Sequence, residues 1–314
     1  MMDNKEKNFV SAVIYVHNQA ENIGTFLETI IDVFENNFEH SEIICVNDSS
    51  EDDSVEIIRQ SCNKALTTSI SVINMSYFHG LEMAMNAGMG LAIGDFVFEF
   101  DSALPDFEKE EIMNVYWKSL EGFDIVSASP DKKLKLTSRF FYSILGRFSE
   151  IQSKINTERF RILSRRVINR ISSMNKTIPY RKAVYANCGL KTFNIIYNVK
   201  TDASFINDKK EKRYRKGLAA DTLILFTDVG YRFSITMAAL MMFIALFMVV
   251  YSLLTYLTQN PVAGWTTIIL FLSFTFLGLF GVLSIVIKYL QLLVDLVFKR
   301  KHYSFESIEK ITTK

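Results

Sequence analysis

Charged residues are missing from one long part of this 314-residue chain: between Phe233 and Ile287 there is no Asp, Glu, Lys or Arg. A helix made from such a stretch has no polar face to present to water, so the chain divides into a charged first part and an apolar second part. The formal net charge of +1 at pH 7 provides no basic surplus of the kind that binds nucleic acid, which is therefore excluded as a partner.

Cysteine, histidine and glycine motifs are also lacking. The three cysteines stand far apart without CxxC spacing and the four histidines are scattered, which argues against a disulfide framework and a zinc site. No Walker loop or Gly-x-Gly-x-x-Gly fingerprint follows the first apolar run, so Gly88, Gly90 and Gly94 are interpreted as packing and turn residues. The polar N-terminus predicts no secretory signal peptide, and a reducing compartment is expected.

Two apolar runs in the second part, 234–257 and 265–287, each reach the roughly 20 residues that cross a bilayer as a helix. Basic residues flank their outer ends at 209–216 and 299–301, while the connector 258–264 has none. The positive-inside rule therefore predicts a hairpin with both termini cytosolic. The expected divisions are a soluble domain at 1–216, an interfacial helix at 217–232, a transmembrane hairpin at 233–288 and a cytosolic tail at 289–314.

The first part of the chain alternates strand-like and helix-like patterns. Apolar, β-rich runs at 9–16, 41–46, 69–74 and 95–100 are separated by helical spacing at 21–36, 55–62 and 81–93. Repeated βα units predict an α/β fold whose parallel sheet binds ligands at the carboxyl ends of its strands. Asp48 and Asp101 follow two of these strands, so both are predicted to lie in one cleft at the ends of neighbouring strands.

The order of motifs resembles glycosyltransferase family two, and within it the polyprenyl-phosphate glycosyltransferases related to dolichol-phosphate mannose synthase. The matching segments are Tyr-Val-His-Asn-Gln-Ala-Glu-Asn-Ile at 15–23, Val-Asn-Asp-Ser-Ser at 46–50, Gly-Leu-Glu-Met-Ala at 80–84 and Phe-Arg-Ile-Leu-Ser-Arg-Arg at 160–166. This resemblance implies a GT-A-type, mostly parallel sheet flanked by helices and followed by two transmembrane helices. The nucleotide-binding residues that it implies are Tyr15, His17, Asn18, Asp48, Gly80, Glu82 and Asp101.

The acidic motif that holds a metal in this family is altered here. Asp101 remains, but the next two positions of the Asp-x-Asp-x-Gln pattern are Ala103 and Pro105. Alternate strand residues point to one face, which offers Glu99 beside Asp101 as a second ligand for Mg²⁺ or Mn²⁺. The other alternative is that Arg159, where the family has Asp, replaces some of the electrostatic work of the metal.

Together these expectations describe a membrane-bound hexosyltransferase at the inner, cytoplasmic membrane, with its catalytic domain in the cytosol. It would move a sugar from a nucleotide-sugar donor to a polyprenyl-phosphate or lipid-linked acceptor in surface polysaccharide synthesis. Because the second Asp and the Gln of the metal motif are lost, a catalytically silent glycosyltransferase-like membrane scaffold is the alternative. Assembly into a homo-oligomer is left open. Asp101 and Glu158 are the candidate catalytic residues, and the candidate phosphate or lipid contacts are Arg139, Arg159, Arg161 and Arg165.

Overall fold

Strands and helices alternate along most of the charged first part of the chain. The computed structural model describes residues 5–131, 158–173, 180–199 and 305–310, together with single helical positions between 213 and 293. The strands are β1 Val10–Val16, β2 Ser41–Asn47, β3 Ser69–Met75, β4 Phe96–Phe100, β5 Ile125–Pro130, β6 Phe160–Ser164, β7 Thr192–Tyr197 and β8 Phe305–Lys310. The helices are α1 Ala20–Asn37, α2 Ser54–Ser61, α3 Leu81–Leu91, α4 Glu110–Leu120, α5 Arg165–Ser173 and α6 Arg181–Asn187, with a 3-10 turn at Cys62–Lys64.

The strands form one eight-stranded sheet in the order β7-β5-β6-β4-β1-β2-β3-β8. Its centre is parallel, because β1 pairs in parallel with both β2 and β4, and β2 pairs in parallel with β3. The four strands and three helices predicted up to residue 100 are confirmed to within a few residues. The sheet as a whole is mixed rather than mostly parallel, since β6 enters antiparallel beside β4 and β5, and β8 enters antiparallel beside β3.

Alternation along β1 divides the core between the two faces of the sheet. Val10 and Ile14 face the apolar side of α1, where Phe26 and Ile30 are buried, and this cluster extends to α4. Val13 and Tyr15 point to the other face, against α3. This helix lies close to the sheet because Gly88 has no side chain: a Cβ there would come 2.3 Å from Cγ1 of Val13. Helices therefore cover both faces.

The apolar second part falls largely outside the described residues, as do the predicted interfacial helix and most of the predicted hairpin. Among the residues that are described, no helix combines the length and the apolar character of a membrane span. The chain beyond the apolar runs returns to the sheet, because β8 pairs with β3 from Ser71 opposite Lys310 to Met75 opposite Phe305. Part of the predicted cytosolic tail is thus an edge strand of the sheet.

Candidate functional site

Asp48 is buried where β2 ends, and it is held by hydrogen-bond donors of the neighbouring loops. One carboxylate oxygen accepts from the backbone N–H of His79 at 2.8 Å. The other accepts from the backbone N–H of Gly80 at 2.7 Å and from the Tyr15 hydroxyl at 3.1 Å. We call these four residues the Asp48 cluster. An anionic side chain with three donors is a well-satisfied buried carboxylate.

The loops after β1 and β2 meet beside this cluster. The backbone N–H of Asp48 donates to the Val16 carbonyl, and Nδ1 of His17 lies 2.7 Å from the Asp48 carbonyl oxygen. Asn18 and Ser49 both adopt left-handed backbone conformations, with φ of 50° and 55°. The Asn18 side chain accepts from the Glu51 N–H at 2.8 Å, which ties the two loops together. The predicted Tyr15, His17 and Asn18 therefore surround Asp48.

Glu99 and Asp101, at the end of β4, are held by arginine side chains instead. The Arg161 guanidinium donates to Glu99 through Nη1 and to Asp101 through Nη2, both at 2.8 Å. The Arg181 guanidinium donates to the same two carboxylates from another side, both at 2.9 Å. Glu99 and Arg161 are fully buried, and Arg181 is nearly so. We call these four residues the arginine cluster.

Further contacts extend the arginine cluster. The Tyr185 hydroxyl donates to Glu99 at 2.6 Å, and Nε of Arg161 donates to Glu158 at 3.2 Å. Glu82, in the first turn of α3, accepts from the backbone N–H and from Nε of Arg181, both at 2.9 Å. Because Gly80 and Glu82 lie two positions apart, the start of α3 joins the arginine cluster to the Asp48 cluster.

Electrostatics in the arginine cluster are dominated by burial and by close opposite charges. Burial alone would raise the pKa of Asp101, but the Arg161, Lys182 and Arg181 cations outweigh it and hold that pKa well below its usual value. Burial likewise favours the neutral form of Arg161, yet the Asp101 and Glu99 carboxylates keep its pKa above the ordinary value. Asp101 and Arg161 are therefore both charged at neutral pH.

Tyr214, from the segment that precedes the apolar runs, packs onto the Asp48 cluster. Its ring lies 6.0 Å from the Phe78 ring, edge to face. Gly80 has φ of +84°, and a Cβ there would come 2.3 Å from the Tyr214 ring. Only glycine fits this position without strain or displacement of the ring. Burial, and next the Glu82 carboxylate, raises the pKa of the Tyr214 hydroxyl, so it stays protonated at neutral pH.

The structure brings most of the predicted site residues to the carboxyl edge of the central strands. Asp48 follows β2 and Asp101 follows β4, but β1 lies between these strands, so they are not neighbours as expected from the sequence. Arg159 forms an ion pair with Asp106 at 2.9 Å, two residues along β6 from Arg161. Tyr197 also donates to Asp106, at 3.2 Å.

One of the predicted phosphate or lipid contacts, Arg165, lies away from this edge. Arg165 follows β6 at the opposite edge of the sheet, because β6 runs antiparallel to β4, and its guanidinium donates to the backbone carbonyls of Ala92 and Gly94. Arg165 thus satisfies carbonyl groups at the end of α3 and in the turn that follows it. Arg139 lies outside the described residues.

Sequence reasoning missed three residues of α6 that belong to the site: Arg181, Lys182 and Tyr185. Lys182 Nζ lies 3.4 Å from Asp101 Oδ2 and donates to the Glu158 backbone carbonyl at 3.1 Å. The available signal was the spacing Arg-Lys-x-x-Tyr, which places three polar groups on one turn of a helix. Nothing local to these residues indicates that they pack against Glu99.

The residues predicted as metal ligands do not fit a divalent cation. Each of the four carboxylate oxygens of Glu99 and Asp101 already accepts a hydrogen bond from Arg161 or Arg181. In the part of the chain that the structure describes, no group of three His, Cys, Asp or Glu side chains is placed to hold a metal ion. The position of the second family Asp is Ala103, which is fully buried and supplies no ligand.

Comparison with known proteins gives a family match and several relatives. The model of the family "Glycosyl transferase family 2" matches residues 11–172. An uncharacterized glycosyltransferase of Synechocystis is 29% identical, with 60% of each chain covered. The prophage bactoprenol glucosyl transferase homolog of Escherichia coli is 30% identical, and the match covers 60% of this chain and 62% of that protein. The chain thus matches less than two thirds of the length of these two relatives.

Solved structures share the fold. Glucosyl-3-phosphoglycerate synthase of Mycobacterium tuberculosis, in complex with phosphoglyceric acid, superposes with a TM-score of 0.50 at 13% identity, covering 69% of this chain and 79% of that one. A structure of the same enzyme in complex with Mn²⁺, UDP and phosphoglyceric acid gives a TM-score of 0.49 at 13% identity, covering 71% and 81%. The superposition with the phosphoglyceric acid complex shows that this chain shares the fold of that synthase.

Proposed function

This chain belongs to glycosyl transferase family 2, and on that premise we propose that it is a membrane-bound enzyme that moves a sugar from a nucleotide-sugar donor to a polyprenyl-phosphate or lipid-linked acceptor. The observation that carries the proposal is the connected network at the carboxyl edge of β1, β2 and β4, from Asp48 through Gly80 and Glu82 to Asp101. In open α/β sheets this edge is where ligands bind. The name of the Escherichia coli relative supports a polyprenyl acceptor.

The proposed roles follow from position and chemistry. Asp48, with the adjoining loops of Tyr15, His17 and Asn18, would bind the nucleotide base. Asp101 and Glu158 would lie at the sugar and the acceptor. Lys182, Arg159 and Arg161 would supply positive charge beside the phosphates. A phosphate acceptor is already anionic, so it needs less help from a general base than a sugar hydroxyl does.

Attachment to the inner membrane, with the catalytic domain cytosolic, is part of the same proposal. The charge-free runs at 234–257 and 265–287 would form two crossings. The pairing of β8 with β3 supports an even number of membrane crossings. It brings the chain beyond both apolar runs back to the side of the membrane on which the sheet lies. A reporter fused after Lys314 should therefore give a cytosolic signal, and a periplasmic signal would contradict this topology.

The transfer reaction is tested with membranes that contain the full-length chain. They are incubated with a panel of labelled nucleotide sugars, and label that enters an organic-extractable lipid is measured. Asp48→Asn should reduce transfer at least about tenfold, because a charge-assisted contact to the donor is lost. The matched control is Asp32→Asn on an exposed part of α1, which should transfer like the wild type.

A second candidate function is a catalytically silent scaffold that keeps the fold for partner binding. The observation that favours it is that Glu99 and Asp101 are fully engaged by arginines, and that Arg159 stands where the family has an acid. The transfer assay decides between the two candidates: a scaffold labels no lipid from any donor in the panel.

A further inference from the structure

The arginine cluster is a closed arrangement of charges. Two carboxylates lie between two guanidiniums, and each guanidinium bridges both carboxylates through Nη1 and Nη2. The formal charges of Glu99, Asp101, Arg161 and Arg181 cancel. Guanidinium–carboxylate hydrogen bonds of this kind are charge-assisted and roughly twice as strong as hydrogen bonds between neutral groups.

This arrangement does the opposite of what a metal site requires. A divalent cation needs carboxylate oxygens that face it and a local excess of negative charge. Here the cation would approach oxygens that lie 2.8–2.9 Å from guanidinium nitrogens, where like charges repel it. The two carboxylates that the sequence offered as metal ligands are therefore committed to arginine.

Lys182 differs from these arginines in its exposure and in the number of its polar contacts. Its side chain is 13% exposed, whereas that of Arg161 is fully buried and that of Arg181 is 1% exposed. An ammonium carries three N–H donors. The two contacts of Nζ are the Glu158 carbonyl at 3.1 Å and a long ion pair to Asp101 at 3.4 Å, which leaves capacity for one further acceptor.

We propose that this chain has a metal-free diphosphate site, in which Arg161 and Arg181 take the place of the divalent cation on Glu99 and Asp101, and Lys182 is the cation that contacts a phosphate oxygen. The inference deepens the proposed function and rests on it for the identity of the donor. Arg161 and Arg181 are positioning residues, because they fix Asp101, and through Asp101 they fix Lys182.

Binding to the purified full-length chain tests both parts of the proposal, with inorganic pyrophosphate, UDP and GDP as probes. Wild-type protein should leave the electron paramagnetic resonance signal of Mn²⁺ unchanged. At least one probe should bind with an affinity that agrees within about twofold in EDTA and in Mn²⁺. Lys182→Met should weaken that binding about tenfold or more, because a charge-assisted contact is removed, and Lys182→Arg should restore part of it.

The controls separate a binding role from a structural one. Lys118→Met removes a partly exposed lysine on α4, whose side chain is 27% exposed, and this variant should bind like the wild type. In the unmodified protein, pyrophosphate should protect Lys182, but not Lys118, from amine-reactive labelling measured by mass spectrometry. This second measurement does not depend on a variant that folds.

Four results would overturn the proposal. They are Mn²⁺ binding that Asp101→Asn abolishes, probe binding that is indifferent to Lys182→Met, equal loss of binding in Lys182→Met and Lys182→Arg, and no binding of any probe. None of these results depends on lipid labelling. If the protein binds pyrophosphate without metal but labels no lipid, only the transferase proposal is contradicted. If transfer occurs but requires Mn²⁺, only the metal-free site is contradicted.

Discussion

The Asp48 cluster and the arginine cluster bury carboxylates at the same edge of the same sheet, yet they satisfy them by different means. Asp48 accepts from two backbone N–H groups and a tyrosine hydroxyl, so its partners come with the fold of the loops. Glu99 and Asp101 depend on two arginine side chains from β6 and α6. The comparison teaches that one part of the site depends on backbone geometry and the other on charge.

Among the changes that test this comparison, removing one arginine is expected to have the largest effect on the free energy of unfolding. Arg181→Met leaves Glu82, Glu99 and Asp101 buried with fewer cations, and breaking a buried ion network in this way costs about 3–5 kcal/mol. Urea unfolding of the full-length chain followed by circular dichroism measures this cost. Arg59→Met, which breaks an exposed pair with Glu56, is the matched control and should change stability by less than about 1 kcal/mol. Equal effects would mean that the cluster is not a buried charge network.

A backbone change should disturb the Asp48 cluster more than the arginine cluster. Gly80→Ala places a Cβ at a positive φ and against the Tyr214 ring, with an expected cost of about 1–3 kcal/mol from backbone strain plus the displacement of the ring. In a double-mutant cycle with Tyr214→Ala, the part of the stability cost that comes from displacing the ring should disappear, while the part that comes from backbone strain remains. Fully additive effects in that cycle would show that Tyr214 does not rest on Gly80 in solution.

Replacing the carboxylate of Asp48 should cost less. Asp48→Asn keeps the shape but turns one accepting oxygen into an N–H donor that faces other donors, so a loss of about 1–2 kcal/mol is expected. The same urea unfolding experiment measures it, with Asp32→Asn on the exposed part of α1 as the control. If Asp48→Asn destabilises the protein as much as Arg181→Met, the contrast between the two clusters fails.

Low pH is expected to have the smallest effect on the free energy of unfolding, and it acts on the arginine cluster through Asp101. The folded-state pKa of Asp101 lies below its unfolded value of about 3.9, so its contribution to stability is complete above that pH and is lost as the pH falls through the folded pKa. The free energy of unfolding of the wild type should therefore fall more steeply below about pH 4 than that of Asp101→Asn. Superimposable pH profiles would contradict the charge of Asp101 in the folded protein.

Local patterns were enough to predict the centre of the sheet, and the family resemblance singled out Asp48, Tyr15 and Gly80 of the Asp48 cluster but not His79. The apolar runs and helical spacing up to residue 100 depend on nearby residues, and Asp48 stands directly after a strand in a recognisable motif. The arginine cluster could not be predicted in the same way. Arg181 lies 80 positions from Asp101, and its contacts with Glu82 and Glu99 form only when α6 packs beside α3 and β4.

The edge strand was missed for a related reason. Residues 305–310 alternate weakly and carry charge, so nothing local distinguishes them from a tail. Their strand conformation is visible only in the pairing with β3, in which Ile308 stands opposite Ile73. Antiparallel β6 was likewise visible in the sequence as a motif, Phe-Arg-Ile-Leu-Ser, but not as a strand partner of β4.

The return of β8 to β3 has a consequence for how the protein is made. The open edge of β3 is not covered until residues 305–310 have left the ribosome, after both apolar runs have been synthesised. Until then the hydrogen-bonding groups of that edge are available to other chains, and an uncovered edge strand is a template for aggregation. Closure of the sheet therefore requires synthesis beyond both apolar runs, and products that end within these runs should be preferred substrates of cellular proteolysis.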